Sequence, residues 1–142
     1  MLIAMAASLR SEDLHRQVGA VGIDASGMVV GTGYNGLKTK VNAPLSFWKN
    51  RDKRRLYCIH AEINLLRAAQ GREIHTVACT TIPCVSCAQA LSAFGVKNVL
   101  YLEEYERDRS SSKLIFKKYG VKVTKVSKRL VKSATNRLVK SC

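Results

Sequence analysis

Two short segments dictate the geometry this chain has to reach. His60-Ala61-Glu62 opens one stretch of apolar residues at helical spacing, and Pro83-Cys84-Val85-Ser86-Cys87 opens another. For His60, Cys84 and Cys87 to hold one ion, the beginnings of two helices must meet at the end of the strand expected between them, Thr76 to Thr81. Cys84 and Cys87 stand three apart, so they share a helix face and can point at one ion together. Helix N-termini favour thiolates, because their free N–H groups carry partial positive charge. Three protein ligands with a fourth position kept for water is the arrangement of a catalytic zinc. Glu62 stays off the metal and is the candidate proton carrier. A structural zinc would need a second Cys or His pair, and a redox dithiol would leave His60 and Glu62 without a task.

The rest of the chain supplies a frame for those helices. Apolar spacing predicts a helix over Ala4 to Arg16, then strands Gln17 to Asp24 and Met28 to Thr32 paired across the Ala25-Ser26-Gly27 turn. Gly31, Gly33 and Gly36 surround Tyr34-Asn35 and suggest a loop whose backbone approaches a ligand. Leu37 to Tyr57 reads as a long polar and basic connection. A helix follows from Cys58, closed by Gly71, then the Thr76 to Thr81 strand and a helix from Cys84 to Phe94 ended by Gly95. A strand at Val99 to Leu102, a helix at Ser111 to Tyr119 and a strand at Val121 to Val126 complete the alternation. Such alternation implies parallel neighbours joined by crossover helices, with helices on both faces of the sheet. Helical spacing in the tail from Ser127 is loose.

A length of 142 residues suits one domain, and no apolar run approaches a membrane span. Met1 to Ala7 is apolar but short and reads as a helix start rather than a leader. With two of the five cysteines assigned to metal, the other three show no pairing pattern, which fits a reducing cytoplasm. The formal net charge of +14 is concentrated in places: Lys49 to Arg55 carries five basic residues against Asp52, and Lys122 to Cys142 has no acid. Such an excess suits nucleic acid or phosphorylated small molecules.

Four passages, Ser11 to Ala20 (SEDLHRQVGA), Gly31 to Gly36 (GTGYNG), Cys58 to Asn64 (CIHAEIN) and Thr81 to Cys87 (TIPCVSC), occur in the order found in one family. On them the chain resembles the deoxycytidylate (dCMP) deaminases of the cytidine deaminase-like superfamily. The His-x-Glu and Pro-Cys-x-x-Cys pair is the signature of zinc nucleobase deaminases. Free-nucleoside deaminases usually have a Cys where His60 stands. The tRNA adenosine deaminases usually reach the zinc motif soon after the Asn, whereas here 24 residues separate Asn35 from His60.

The resemblance implies a three-layer α-β-α fold with a central five-stranded mixed sheet, a deaminase domain over 1–126 and a basic tail over 127–142. It implies hydrolysis of dCMP to dUMP and ammonia, with zinc on His60, Cys84 and Cys87 and Glu62 moving protons from water to ring N3 and the leaving amine. Asn35 is expected on the deoxyribose, backbone groups beside Ala61 and Ile82 on the pyrimidine, and Tyr105 on the wall or phosphate side. For the 5′-phosphate, Arg16 is the first candidate, with Arg10, Lys49 and Arg51 behind it. The family further implies a cytoplasmic homohexamer activated by dCTP with Mg2+ and inhibited by dTTP, its effector region in Gly33 to Lys40 and the insertion after it. Residues 37 to 57 contain no Cys or His, so one zinc per chain is expected. The rival reading is a polynucleotide (tRNA or single-stranded DNA) deaminase gripping its substrate by charge, and behind it a zinc-stabilised nucleic-acid-binding module. An aromatic content of 6% gives base stacking little support, so nucleic acid is the less favoured partner.

Overall fold

Five strands, β1 (Gly19–Ile23), β2 (Val29–Tyr34), β3 (Thr76–Thr81), β4 (Asn98–Glu103) and β5 (Lys122–Lys125), form one sheet in the order β2-β1-β3-β4-β5. The computed structural model describes residues 1–38, 41–104 and 111–140. β1 runs antiparallel to both β2 and β3, while β3, β4 and β5 are parallel. The sheet is therefore mixed, as expected: a hairpin supplies one edge and two helical crossovers supply the rest.

Side-chain alternation sorts the sheet into two faces. On one face Ala20, Val77 and Val99 pack with Leu65 and Leu66 of α4 (Ala61–Ala69), Leu91 of α5 (Val85–Ala93) and Phe116 of α6 (Ser111–Lys118). Residues one step along, Val21 and Ala78, face the other way and pack on Ala4 of α1 (Leu2–Ser8). This is the three-layer arrangement inferred above. Gly33 explains how closely the layers meet, because a Cβ there would collide with the backbone at Ala61 and Leu65. The glycines of Gly31 to Gly36 thus admit α4, at least at Gly31 and Gly33, where the sequence suggested room for a ligand.

Two expectations are corrected. The first helix ends at Ser8 instead of continuing to Arg16. Asp13 Oδ1 accepts from the backbone N–H groups of His15 and Arg16 at 2.8 and 3.2 Å, and Ser11 Oγ accepts from Asp13 N–H at 3.3 Å. Those side chains offer the backbone an alternative to the helix, which is how Ser and Asp break one. The connection from Leu37 to Tyr57 is also not all loop: α2 spans Leu45–Lys49 and α3 spans Arg51–Tyr57. Asn50 caps α3 by accepting from Lys53 N–H at 2.9 Å, and the pair is anchored by Trp48, which is 6% exposed. The loosely periodic tail forms α7 (Lys128–Lys140).

Candidate active site

His60 and Cys84 occupy equivalent places at the starts of α4 and α5, each as the extended residue that precedes the helix. β3 delivers the chain to Pro83, and α5 then begins with Cys87 in its first turn. Ahead of α4, the backbone of Ile59 pairs with that of Gly36, with N–H to O distances of 2.8 and 3.1 Å. That bridge ties the Tyr34-Asn35 segment to His60, so two distant sequence passages are held in register.

The three expected ligands converge. Both sulfurs, Cys84 Sγ and Cys87 Sγ, lie 3.4 Å from His60 Nδ1, and the three ligand atoms are all within 4.8 Å of one another. Tetrahedral zinc with bonds of about 2.1 Å to nitrogen and 2.3 Å to sulfur requires a nitrogen–sulfur edge of about 3.6 Å. The donor set and its spacing therefore fit one zinc ion. Hydrogen bonds from the Cys87 thiol, from His60 and from Ser86 pull the Cys84 thiol down to about 3. The same sharing with Cys84, with burial behind it, pushes Cys87 up, and the bond to Cys84 raises His60.

Glu62, in the first turn of α4, is 4% exposed, and burial raises its carboxyl above the ordinary glutamate value. A carboxyl raised in this way holds a proton more readily at neutral pH, which is what a group that accepts and returns protons needs.

This cluster borders a cavity of about 500 Å3 whose lining includes His60, Ala61, Glu62 and Cys84 together with Arg16, Arg51, Arg54 and Arg55. Arg54 is fixed at two points: its Nη1 donates to Trp48 O at 2.8 Å and lies 3.8 Å from Asp13 Oδ1, with both side chains 12% exposed. Asp13 thus holds the Ser11–Arg16 turn with one oxygen and ties it to α3. Sequence reading missed Asp13, Arg54, Arg55 and the cavity-facing Cys58. The available signal was Asn50 three residues before Lys53, a helix start that places Arg51, Arg54, Arg55 and Cys58 on successive turns.

Asn35 lines the cavity, but its side chain is also structural. Oδ1 accepts from Val18 N–H at 2.7 Å and Nδ2 donates to Arg16 O at 2.9 Å. One amide hydrogen and one lone pair remain for a ligand. Ala61 also lines the cavity, and as the first residue of α4 its N–H has no acceptor within the helix. Ile82 is 1% exposed and is not among the residues lining the cavity; its N–H donates to Glu103 O at 2.8 Å, so only its carbonyl is left for a ligand. Arg10 stacks over the Tyr34 ring at 4.9 Å instead of lining the cavity. Tyr105 lies outside the described residues.

A family model described as the cytidine and deoxycytidylate deaminase zinc-binding region matches residues 1–103. A probable deoxycytidylate deaminase of Caenorhabditis elegans is 37% identical over 120 residues, which cover 80% of this chain and 61% of that protein. The deoxycytidylate deaminase of Mus musculus is 28% identical over 131 residues, covering 85% of this chain and 74% of the mouse protein. The chain therefore spans less than two thirds of the worm relative. Among solved structures, a dCMP deaminase from the cyanophage S-TIM5 superposes with a TM-score of 0.71 at 24% identity, over 88% of this chain and 92% of the phage chain. That similarity establishes a shared fold.

Proposed function

This chain belongs to the cytidine and deoxycytidylate deaminase family, and we propose that it hydrolyses dCMP to dUMP and ammonia with one zinc ion on His60, Cys84 and Cys87. The observation that carries this reading is the meeting of those three ligands beside a buried Glu62, at a cavity whose lining includes four arginines. Zinc bound there would supply a Lewis acid that makes water a nucleophile near neutral pH.

The chain's own residues do the remaining work. Water adds to C4 of the cytosine ring, the exocyclic C4–N bond breaks, and ammonia leaves. Glu62 takes the first proton from the water and places it on ring N3, then takes the second from the C4 hydroxyl of the adduct and gives it to the departing amine. The Ala61 N–H and the Ile82 carbonyl face the pyrimidine edge, and the spare Asn35 amide hydrogen meets the deoxyribose. Arg16 and Arg51, which line the cavity, hold the 5′-phosphate, because a phosphate needs cations or N–H donors. Arg54 is a positioning residue, tied through Asp13 to the backbone on which Arg16 sits.

From the family resemblance the reading extends further. The chain assembles as a cytoplasmic homohexamer, with dCTP and Mg2+ activating and dTTP inhibiting through the Gly33 to Lys40 region and the insertion that follows. A sigmoidal dCMP curve that dCTP straightens supports regulation, and a hyperbolic curve indifferent to both nucleotides contradicts it.

Ammonia release tests the substrate assignment. The expected order is dCMP well above deoxycytidine, with little from dCTP or a cytosine-bearing oligonucleotide. Exchange of Arg16 for Ala raises KM for dCMP much more than for deoxycytidine. Equal effects remove Arg16 from the phosphate site, and preference for the oligonucleotide overturns the mononucleotide reading.

A further inference from the structure

Residues 111–140 hold ten of the chain's 24 lysines and arginines and no Asp or Glu. Three of the ten are answered by acids at the end of β4: Lys113 and Lys125 lie 3.1 and 3.7 Å from Glu104, and Lys128 lies 3.0 Å from Glu103. The rest include Lys117 and Lys118 at the end of α6, Lys122 on β5, and Arg129, Lys132 and Lys140 on α7. β5 is an edge strand of the sheet, so these cations flank one border of the molecule.

The helix α7 is divided lengthwise. At about 100° per residue, Leu130, Val131, Ala134 and Leu138 fall in one arc, and its five basic residues fill the other. Val131 is buried and Ala134 half-buried, so the apolar arc touches the body there, while Leu130 and Leu138 and the five basic residues are exposed. A shallow groove on the helix is lined by Arg129, Lys132, Ser133, Asn136, Arg137 and Lys140. A helix lying on a membrane would present its whole apolar arc outward, whereas Val131 here is buried. Arginine, lysine, serine and asparagine side chains together are the set that contacts a sugar–phosphate backbone. No aromatic residue stands on α7, which argues for phosphate contact without base stacking.

We propose that the α6–β5–α7 border binds the sugar–phosphate backbone of single-stranded nucleic acid, without sequence preference and apart from the catalytic cavity. No residue of 111–140 lines that cavity. The border tethers the enzyme to polynucleotide and does not feed strand to the zinc site.

The test is fluorescence anisotropy of a labelled oligothymidylate, which contains no cytosine and so reads binding independently of deamination. The full chain should bind it at low salt and release it steeply as salt rises. The triple variant Arg129→Glu, Lys132→Glu, Lys140→Glu should lose at least about tenfold in affinity. Its milder Gln counterpart should flatten the log–log salt slope by roughly 2, at about 0.7 per single-strand phosphate contact removed. Both should turn over dCMP like the parent. A control triple, Lys53→Gln, Arg67→Gln, Lys97→Gln, removes the same charge elsewhere and should change binding little. Absence of binding, or equal losses in both Gln triples, overturns the proposal. So does capture by phosphatidylserine-containing vesicles but not by oligothymidylate. Leu130 and Leu138 are 59% and 57% exposed; if α7 substitutions change only self-association, a second copy is the occupant and the proposal also fails.

Discussion

Glu62 and Asn35 each combine burial with a polar task, and that combination makes single substitutions informative. Glu62→Gln keeps shape and one acceptor but cannot carry protons. It should retain zinc by metal analysis while kcat falls by about 10²–10⁴, the usual worth of a positioned proton carrier. An active, zinc-loaded Gln variant contradicts the assignment. Asn35→Ala strips the acceptor from the Val18 N–H, and Val18 is only 6% exposed. A buried donor left unpaired costs about 1–3 kcal/mol, so the urea midpoint should fall along with dCMP affinity. An unchanged midpoint would make Asn35 a ligand residue alone. At this scale the sequence was most legible for His60, Cys84, Cys87 and Glu62, because metal ligation restricts residue type and spacing together. Asn35 lines the cavity, but nothing in the sequence marked it as a clamp on Arg16 and Val18, since no local pattern announces bonds reaching 17 and 19 residues away.

Between elements, the decisive contacts are backbone approaches and charge clasps. Gly33→Ala must push β2 from α4, displacing the helix that begins at His60. Overpacking of this sort costs about 1–3 kcal/mol; the variant should lose zinc occupancy together with stability. Unchanged zinc content and midpoint would show that α4 is not held there. At the far end of the sheet, Glu104 accepts from Tyr101 at 2.6 Å and Lys113 at 3.1 Å, joining β4 to α6. Those bonds, Tyr101 first, hold its carboxyl at about 2 in place of the usual 4.5. A lowered folded value means that the clasp stabilises above the unfolded value and is lost as pH falls from about 4.5 toward about 2. The stability difference between the parent and Glu104→Gln should therefore be present at pH 7 and close over that acid range. A difference that persists in acid would assign the effect to packing. The parallel pairing of β3, β4 and β5 and their crossover helices were readable from alternation, whereas the antiparallel seat of β1 beside β3 was not. α2 and α3 were not, because they are held by burial of Trp48 and by Arg54 reaching Trp48 O, and their exposed faces carry no apolar period. The overlong first helix failed for a related reason: Asp13 captures backbone donors that a periodicity argument assigns to the helix.

For the whole molecule, the metal is a fold-scale ligand, since His60 and the cysteines belong to helices that arise in separate stretches of chain. Whatever binds only the native state stabilises it by mass action, about 2.7 kcal/mol at a hundred times the dissociation constant. Chelation should lower the thermal midpoint, and zinc added back should restore it in the parent but not in Cys87→Ser. A midpoint indifferent to chelator would separate the ion from the fold. The layered architecture follows from sequence patterning, whereas the cavity's arginine lining arises only when α3 folds against the Ser11–Arg16 turn. The central claim is the composition of the metal shell, and zinc K-edge X-ray absorption on the purified chain reads it directly. The account predicts one zinc per chain, two sulfur neighbours at about 2.3 Å, one imidazole nitrogen at about 2.0–2.1 Å and one further light-atom position open to exchange. A shell of three or four sulfurs, a shell carrying the Glu62 carboxylate, or a folded chain without zinc would contradict it.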